Sequence, residues 1–383
     1  MISAAGACKH SGVRMAKVGY APSDLDSVPE VDSLLERLGF GAFDRATLAS
    51  APGRNDAWTG TTAEGRKVFA KRLRGPEDDV RGRMARLLAF ESFAGGDRLG
   101  ALNHPALLGS DPDAGLVVFE CIDGAQNGAE LMVDQTFDDA LAFAAGQAIG
   151  SVHAADPGAA ELETEPPSLP AAHLLRGIPE GLFDNISFGQ ISAWSLMQND
   201  PELIEGVEAL LDAERHAEKV PAHCDLRVDQ FLVRNGVLYI ADWEEFRLAD
   251  AARDIGGFTG EWLYRSILDI VTTRGEAEGS STFVDFELTH DLIVSRGVEK
   301  LERLRPRIEN FWHGYRSVRP NVDPGLRERA TAFAGWHALD RLMASASRTA
   351  RLSGIERAAA GVGRAALLAP SRFATTLGLE ETV

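Results

Sequence analysis

The chain has 383 residues, 45% of them hydrophobic, enough apolar matter for one large core or two moderate ones. Its 57 acidic against 39 basic residues give a formal net charge of −18, which argues against a nucleic acid or an anionic membrane as a partner of the whole surface. No run approaches the roughly eighteen apolar residues of a spanning helix, residues 1–21 lack the apolar core of a signal peptide, and Cys8, Cys121 and Cys224 show no metal-ligand spacing. A reducing cytoplasm is the expected location, with no disulfide framework.

In chain order, residues 1–28 read as a disordered leader containing Met15, an alternative start. Residues 51–60 form a turn on plain Pro, Gly, Asn and Asp chemistry. Residues 66–73 are strand-like, and alternation places Lys67, Phe69 and Lys71 on one face, so periodicity does not choose between the two lysines. Helical spacing follows over 83–93, with Glu91 on that helix, then a buried strand running into a turn over 116–124. A helix over 137–153 ends on His153, read as a packed histidine, and 156–170, rich in Ala, Glu and Pro, reads as an exposed loop.

The stretch richest in chemistry is His223-Cys224-Asp225-Leu226-Arg227-Val228-Asp229-Gln230, followed seventeen residues after Asp225 by Asp242. Residues 237–241 read as a short buried strand delivering Asp242, and Asn235-Gly236 as the turn of a hairpin. Moving a γ-phosphoryl group requires charge neutralisation by Mg²⁺ and an acceptor oxygen held in line. Asp225 is the candidate base for the acceptor hydroxyl; Asp242 and Gln230 supply the hard oxygens that Mg²⁺ prefers.

These segments resemble the aminoglycoside phosphotransferase-like branch of the protein-kinase fold, whose catalytic loop reads His-Gly-Asp-Leu with an Asn five residues after the Asp. Cys224 stands where that family has Gly and Gln230 where it has Asn. The resemblance implies an α+β, bilobal fold: a small β-rich nucleotide-binding lobe over 29–123 and a larger helical catalytic and substrate lobe over 124–383. It further implies ATP and Mg²⁺ as cofactors, Lys71 on the α- and β-phosphates paired with Glu91, 51–60 as the phosphate-covering turn, and adenine against the main chain at Glu120 and Ile122. His223 would pack beneath the loop and Asp254 brace it by hydrogen bonds.

Farther along, 275–281 reads as a linker, 290–305 as a helix stopped by Pro306, 327–347 as a second helix, and 358–368 as a last helix or a frayed tail. Residues 239–264 with 229–232 resemble the kinase subunit of class V lanthionine synthetases, which phosphorylates Ser or Thr of a ribosomal precursor peptide. That resemblance implies a lyase and a cyclase as partners. Glu244, Glu245, Arg247, Glu261 and Arg265 are then candidates near the acceptor, against the plainer reading that they are salt-bridge residues. Two further readings stand beside it: a small-molecule kinase of the antibiotic-resistance type, and a nucleotide-binding pseudokinase scaffold, to which Gln230 points.

Overall fold

A computed structural model describes residues 23–51, 53–95, 99–158, 160–168, 170–178, 180, 186–272 and 290–380, except the side chains of residues 290 and 294. Residues 1–22 of the expected leader with Cys8 and Met15, Pro52 of the predicted turn, and the predicted linker 275–281 lie outside them, while the rest of the leader is corrected: 25–27 form a 3₁₀ turn, and Leu25 and Val28 are buried in the core. The chain divides into two compact bodies: the first from Met1–Phe137, Asp156–Glu163 and Val228–Arg247, the second from Asp138–Ala155, Thr164–Arg227 and Leu248–Val383.

In the first body, helix α1 (Glu30–Arg37) precedes strands β1 (Ala49–Ser50), β2 (Asp56–Thr61) and β3 (Lys67–Arg72), helix α2 (Glu77–Ala94), and strands β4 (Leu107–Asp111) and β5 (Leu116–Glu120). The five strands form one antiparallel sheet in the order β1-β2-β3-β5-β4. The period of two divides its faces. Trp58, Val68, Ala70, Leu116 and Val118 pack with Val31, Leu34 and Leu35 of α1. Val117 packs with Met84 and Leu87 of α2, and Phe119 lies against the same cluster. Three acidic residues, Glu77, Asp78 and Asp79, occupy the first turn of α2, where they favour the positive end of its dipole.

Beyond β6 (Gln126–Asn127) and α3 (Gly128–Val133), the body is completed by β8 (Phe231–Arg234) and β9 (Val237–Ile240), numbered after β7 (Lys219–Ala222) of the second body. They pair antiparallel, Phe231 opposite Ile240 and Arg234 opposite Val237. Asn235 at φ 51° and Gly236 at φ 77° are consecutive left-handed residues, the backbone a two-residue hairpin requires. The Asn235-Gly236 turn is therefore where the sequence puts it.

The second body is mainly helical: α4 (Asp139–Ala154), α5 (Ala172–Arg176), α6 (Phe188–Gln198), α7 (Pro201–His216), α8 (Ala252–Leu268), α9 (His290–Val318), α10 (Leu326–Ala346), α11 (Gly354–Leu368) and α12 (Pro370–Thr376). Strands β7 (Lys219–Ala222) and β10 (Arg247–Asp250) form a two-stranded sheet, all of it but Arg247 in this body. Helices α4 and α9 cross in close approach. A Cβ on Gly146 would lie 2.0 Å from the carbonyl oxygen of Phe311, and one on Gly314 would lie 2.1 Å from that of Phe143.

Pro306 does not stop the helix predicted over 290–305, which continues to Val318. A proline inside a helix costs about 3 kcal/mol through the lost N–H and the clash with the preceding turn. Here Leu304, Ile308, Phe311, Trp312 and Tyr315 are all buried beyond or beside it, and burial of that size outweighs the local cost. At the end of the chain, the alternatives left by 358–368 resolve to a helix, α11, capped by Ser353.

Candidate active site

The first body contains a pocket lined by Phe69, Lys71, Leu87, Glu91, Pro105, Phe119, Glu120, Cys121, Ile122, Leu232, Ala241, Asp242 and Trp243. Five residues expected to meet the nucleotide or its metal, Lys71, Glu91, Glu120, Ile122 and Asp242, thus share one cavity. Apolar walls with a few convergent charges are the usual make-up of a cofactor site. Asp242 reaches it because β9 is pinned from outside the hairpin: the Ile240 N–H donates to the Asn103 carbonyl at 2.9 Å, and Asn103 Nδ2 donates to the Leu238 carbonyl at 3.2 Å.

The two lysines that periodicity leaves on one face differ in burial and in partners. Lys67, at the start of β3, is half exposed and pairs with Asp123 at 2.8 Å. Lys71 lies opposite Val117 in the sheet, only 8% of its side chain exposed, and its Nζ donates to Asp242 Oδ1 and, at 2.6 Å, to Glu244 Oε2. Burial alone would lower the Lys71 pKa, but the charges of Asp242 and Glu244 raise it, so the ammonium stays protonated. Glu244 is correspondingly depressed; burial would raise it, and Lys71 and Arg83 pull it down to about 2.

The expected pair of Lys71 with Glu91 is corrected: Glu91 lines the pocket, but the lysine's carboxylates are Asp242 and Glu244. The reason is the phase of α2, which buries Arg83, Met84, Leu87, Phe90 and Phe93. Phe90 stacks on Trp243 at 4.0 Å between ring centroids and 3° between planes, and this seats the 243–246 turn against the helix. Glu91 lies instead 4.0 Å from His104 Nδ1, and burial pushes its carboxyl up to about 7.

Gln230 ends the 3₁₀ turn Val228–Gln230 before β8, and its carbonyl accepts from the Ala241 N–H at 2.9 Å. Its side chain is fully buried and is not among those that line the pocket, and among the described residues neither Oε1 nor Nε2 has a hydrogen-bond partner. A buried amide left so costs about 1–3 kcal/mol. Its oxygen and the Asp242 carboxylate are the hard donors a divalent cation takes, so the residues fit such an ion. Among the described residues no group of three or more His, Cys, Asp and Glu side chains could hold a metal unaided. Mg²⁺ suits so sparse a protein ligand set, because it keeps waters and takes phosphate oxygens.

The second body carries the loop after β7. Cys224, in place of the family's glycine, sits at φ 64°, where a side chain costs about 1–2 kcal/mol. Asp254 on α8 compensates. Its Oδ2 accepts from the His223 N–H at 2.8 Å and its Oδ1 from the Cys224 N–H at 2.7 Å, while His153 Nε2 bonds Oδ2 at 2.9 Å. Burial would raise the Asp254 carboxyl, but the hydrogen bond and charge of His153 and the contacts of His223 bring it below its ordinary value. His223 is wholly buried, its Nδ1 3.3 Å from the Asp225 N–H. Asp225 keeps 44% of its side chain exposed, with Arg227 Nε at 3.1 Å.

The residues placed near the acceptor by sequence are occupied in ion pairs. Arg247, almost wholly buried, meets Glu163 at 2.9 Å and Glu245 at 2.7 Å. Glu261 in the second body bonds His337 Nε2 at 2.6 Å; burial would raise its carboxyl, and His337, Arg341 and Arg227 depress it to about 2. Arg265 pairs with Asp269. Sequence reasoning missed Arg83, Arg86 and Arg227. Arg227 stood in plain view two residues after Asp225, whereas nothing local marks the side of α2 that buries Arg83.

A family model described as the phosphotransferase enzyme family matches residues 48–283. Among solved structures, an amicoumacin kinase in complex with AMP-PNP, Ca²⁺ and Ami is 15% identical, with 91% of this chain and 94% of that one covered at a TM-score of 0.51. A choline/ethanolamine kinase family protein from Mesorhizobium loti is 17% identical, with 87% and 92% covered and a TM-score of 0.46. The macrolide 2′-phosphotransferase of Brachybacterium faecium is 17% identical, with 89% and 98% covered and a TM-score of 0.45. A search of curated protein sequences gave no match. The matched span is more than half of the chain and contains Lys71, Asp225, Gln230, Asp242 and Asp254, and the chain belongs to the phosphotransferase enzyme family, whose members move a phosphoryl group from ATP to a hydroxyl with a divalent cation.

Proposed function

We propose that the chain phosphorylates a Ser or Thr hydroxyl of a ribosomal precursor peptide and works beside a lyase, which eliminates the phosphate, and a cyclase. What supports the acceptor is the resemblance of 239–264 and 229–232 to the kinase subunit of class V lanthionine synthetases. For the transfer itself, the observation that carries the reading is the pocket in which a protonated Lys71 and Asp242 converge.

In this reading the main chain at Glu120 and Ile122 meets adenine and Lys71 binds the α- and β-phosphates. Asp242 and Gln230 would hold Mg²⁺, which when bound would supply charge neutralisation for the phosphoryl oxygens. Asp225 accepts the proton of the acceptor hydroxyl as that oxygen bonds to the γ-phosphorus and the bond to the bridging oxygen of ADP breaks. Arg227, 3.1 Å from Oδ1, orients the carboxylate, and Asp254 holds the loop by its backbone.

A second reading, a small-molecule kinase, is favoured by the solved structures of like fold, whose names give amicoumacin and macrolides as what they act on or bind. One experiment separates the two. Labelled γ-phosphate is transferred from ATP, with Mg²⁺, into size-fractionated producer-cell extract, with Asp225→Asn as control. Asp225-dependent label is expected on a peptide; label on a metabolite supports the second reading. Nucleotide binding with no Asp225-dependent label leaves the pseudokinase scaffold.

A further inference from the structure

Lys71 is held by two carboxylates, and only one of them has no other duty. Asp242 carries the oxygens that a divalent cation needs, so a lysine held by Asp242 alone would lose its partner when the site is loaded. Glu244 is arranged differently. Its Oε2 takes Lys71 at 2.6 Å, its Oε1 lies 3.3 Å from Arg83 Nη1, and its carbonyl accepts from Arg86 Nε at 2.9 Å. Arg83 is fully buried and fixed in turn by Asn55 Oδ1 at 3.1 Å, the Arg74 carbonyl at 2.6 Å and Asp79 at 3.0 Å. The helix α2 thus reaches the lysine through a basic residue, while the carboxylate comes from the turn after β9.

We propose that Glu244, fixed by Arg83, positions Lys71 on the nucleotide phosphates, so that the lysine is seated by the turn that carries Asp242 rather than by a helix glutamate. The inference rests on the reading of Lys71 as the phosphate-binding residue. Asp242 and Glu244 stand two residues apart on one turn, so the metal carboxylate and the seat of the lysine are registered to each other by covalent geometry. A displacement of α2 would act on both together.

The test is a double-mutant cycle on the full chain, read in kcat and KM for MgATP hydrolysis and in the dissociation constant of a fluorescent ATP analogue. Glu244→Gln is expected to lower kcat about 10- to 100-fold with a smaller change in KM, the pattern of an interaction realised in the transition state. In a Lys71→Ala background it is expected to add less than about threefold, because a positioning residue has nothing left to position. Arg83→Gln gives the same non-additivity at lower amplitude and replaces Glu244→Gln if that variant does not fold. Losses that multiply, or an unchanged Glu244→Gln, overturn the proposal. Wild-type behaviour of Lys71→Ala removes instead the phosphate-binding reading beneath it.

Discussion

Cys224 and Asp242 both hold a left-handed backbone without being glycine, at φ 64° and φ 70°, and the two bodies stabilise them by different means. The Cys224 loop is held by its backbone, through two N–H groups aimed at one buried carboxylate, Asp254. The Asp242 corner is held through side-chain charges, with Lys71 on Asp242 and Glu244, Arg83 and Arg86 on Glu244, and Phe90 stacked on Trp243. Backbone anchoring leaves the Asp225 side chain half exposed for chemistry and indifferent to what binds elsewhere. Charge anchoring makes the Asp242 corner responsive, since any ligand that competes for Asp242 must rearrange the pairs around it.

The largest effects should come from the two carboxylates themselves and should differ in kind. Asp225→Asn is expected to keep MgATP binding and to lose phosphoryl transfer about 10²- to 10⁴-fold, the usual contribution of a positioned base. Asp242→Asn is expected to lose Mg²⁺-dependent nucleotide binding as well. Equilibrium binding of an ATP analogue with and without Mg²⁺, beside the transfer assay, reads both. Equal binding losses in the two variants would break the division of labour drawn between loop and corner.

Next in size is the removal of the anchor. Asp254→Ala strands the N–H groups of His223 and Cys224 and the buried ring of His153, and breaking a buried pair in this way costs about 3–5 kcal/mol. The folded-state pKa of Asp254 lies below 3.8, so its stabilisation is present above that pH and is lost as pH falls through the folded value. Urea unfolding at neutral and acid pH should show the variant much weakened at pH 7, and its deficit shrinking toward pH 3. A deficit independent of pH would mean that Asp254 contributes by shape rather than as a charge.

The parts legible in sequence were those set by chemistry or by a local period. A sheet's alternation puts Lys67 and Lys71 on one face of β3, and Asn235-Gly236 leaves one kind of turn. The partner of Lys71 was not legible, because a helix glutamate and a glutamate after a strand are equally able to reach a lysine, and only the stacking of Phe90 on Trp243 decides. The burial of Arg83 was not legible for the same reason: it depends on Asn55 and Glu244, both distant in sequence, and on the Arg74 carbonyl. Pro306 was misread as a stop because its local cost is visible in sequence, while the buried run from Leu304 to Tyr315 that outweighs it is tertiary.

The smallest expected effect tests the backbone-held member alone. If the loop carries conformational strain at Cys224, Cys224→Gly removes it, a gain of about 1–2 kcal/mol, less roughly 0.5–1 kcal/mol for the greater freedom of glycine in the unfolded chain. Cys224→Ala removes the thiol, which donates to the Ala222 carbonyl at 3.7 Å, but keeps the Cβ and therefore the strain. The informative quantity is the difference between the two variants in thermal midpoint, with glycine above alanine by a degree or two for a net gain near 1 kcal/mol. Alanine equal to or above glycine would show that the two hydrogen bonds to Asp254 hold the loop without strain, and that a side chain at this position costs nothing that glycine would recover.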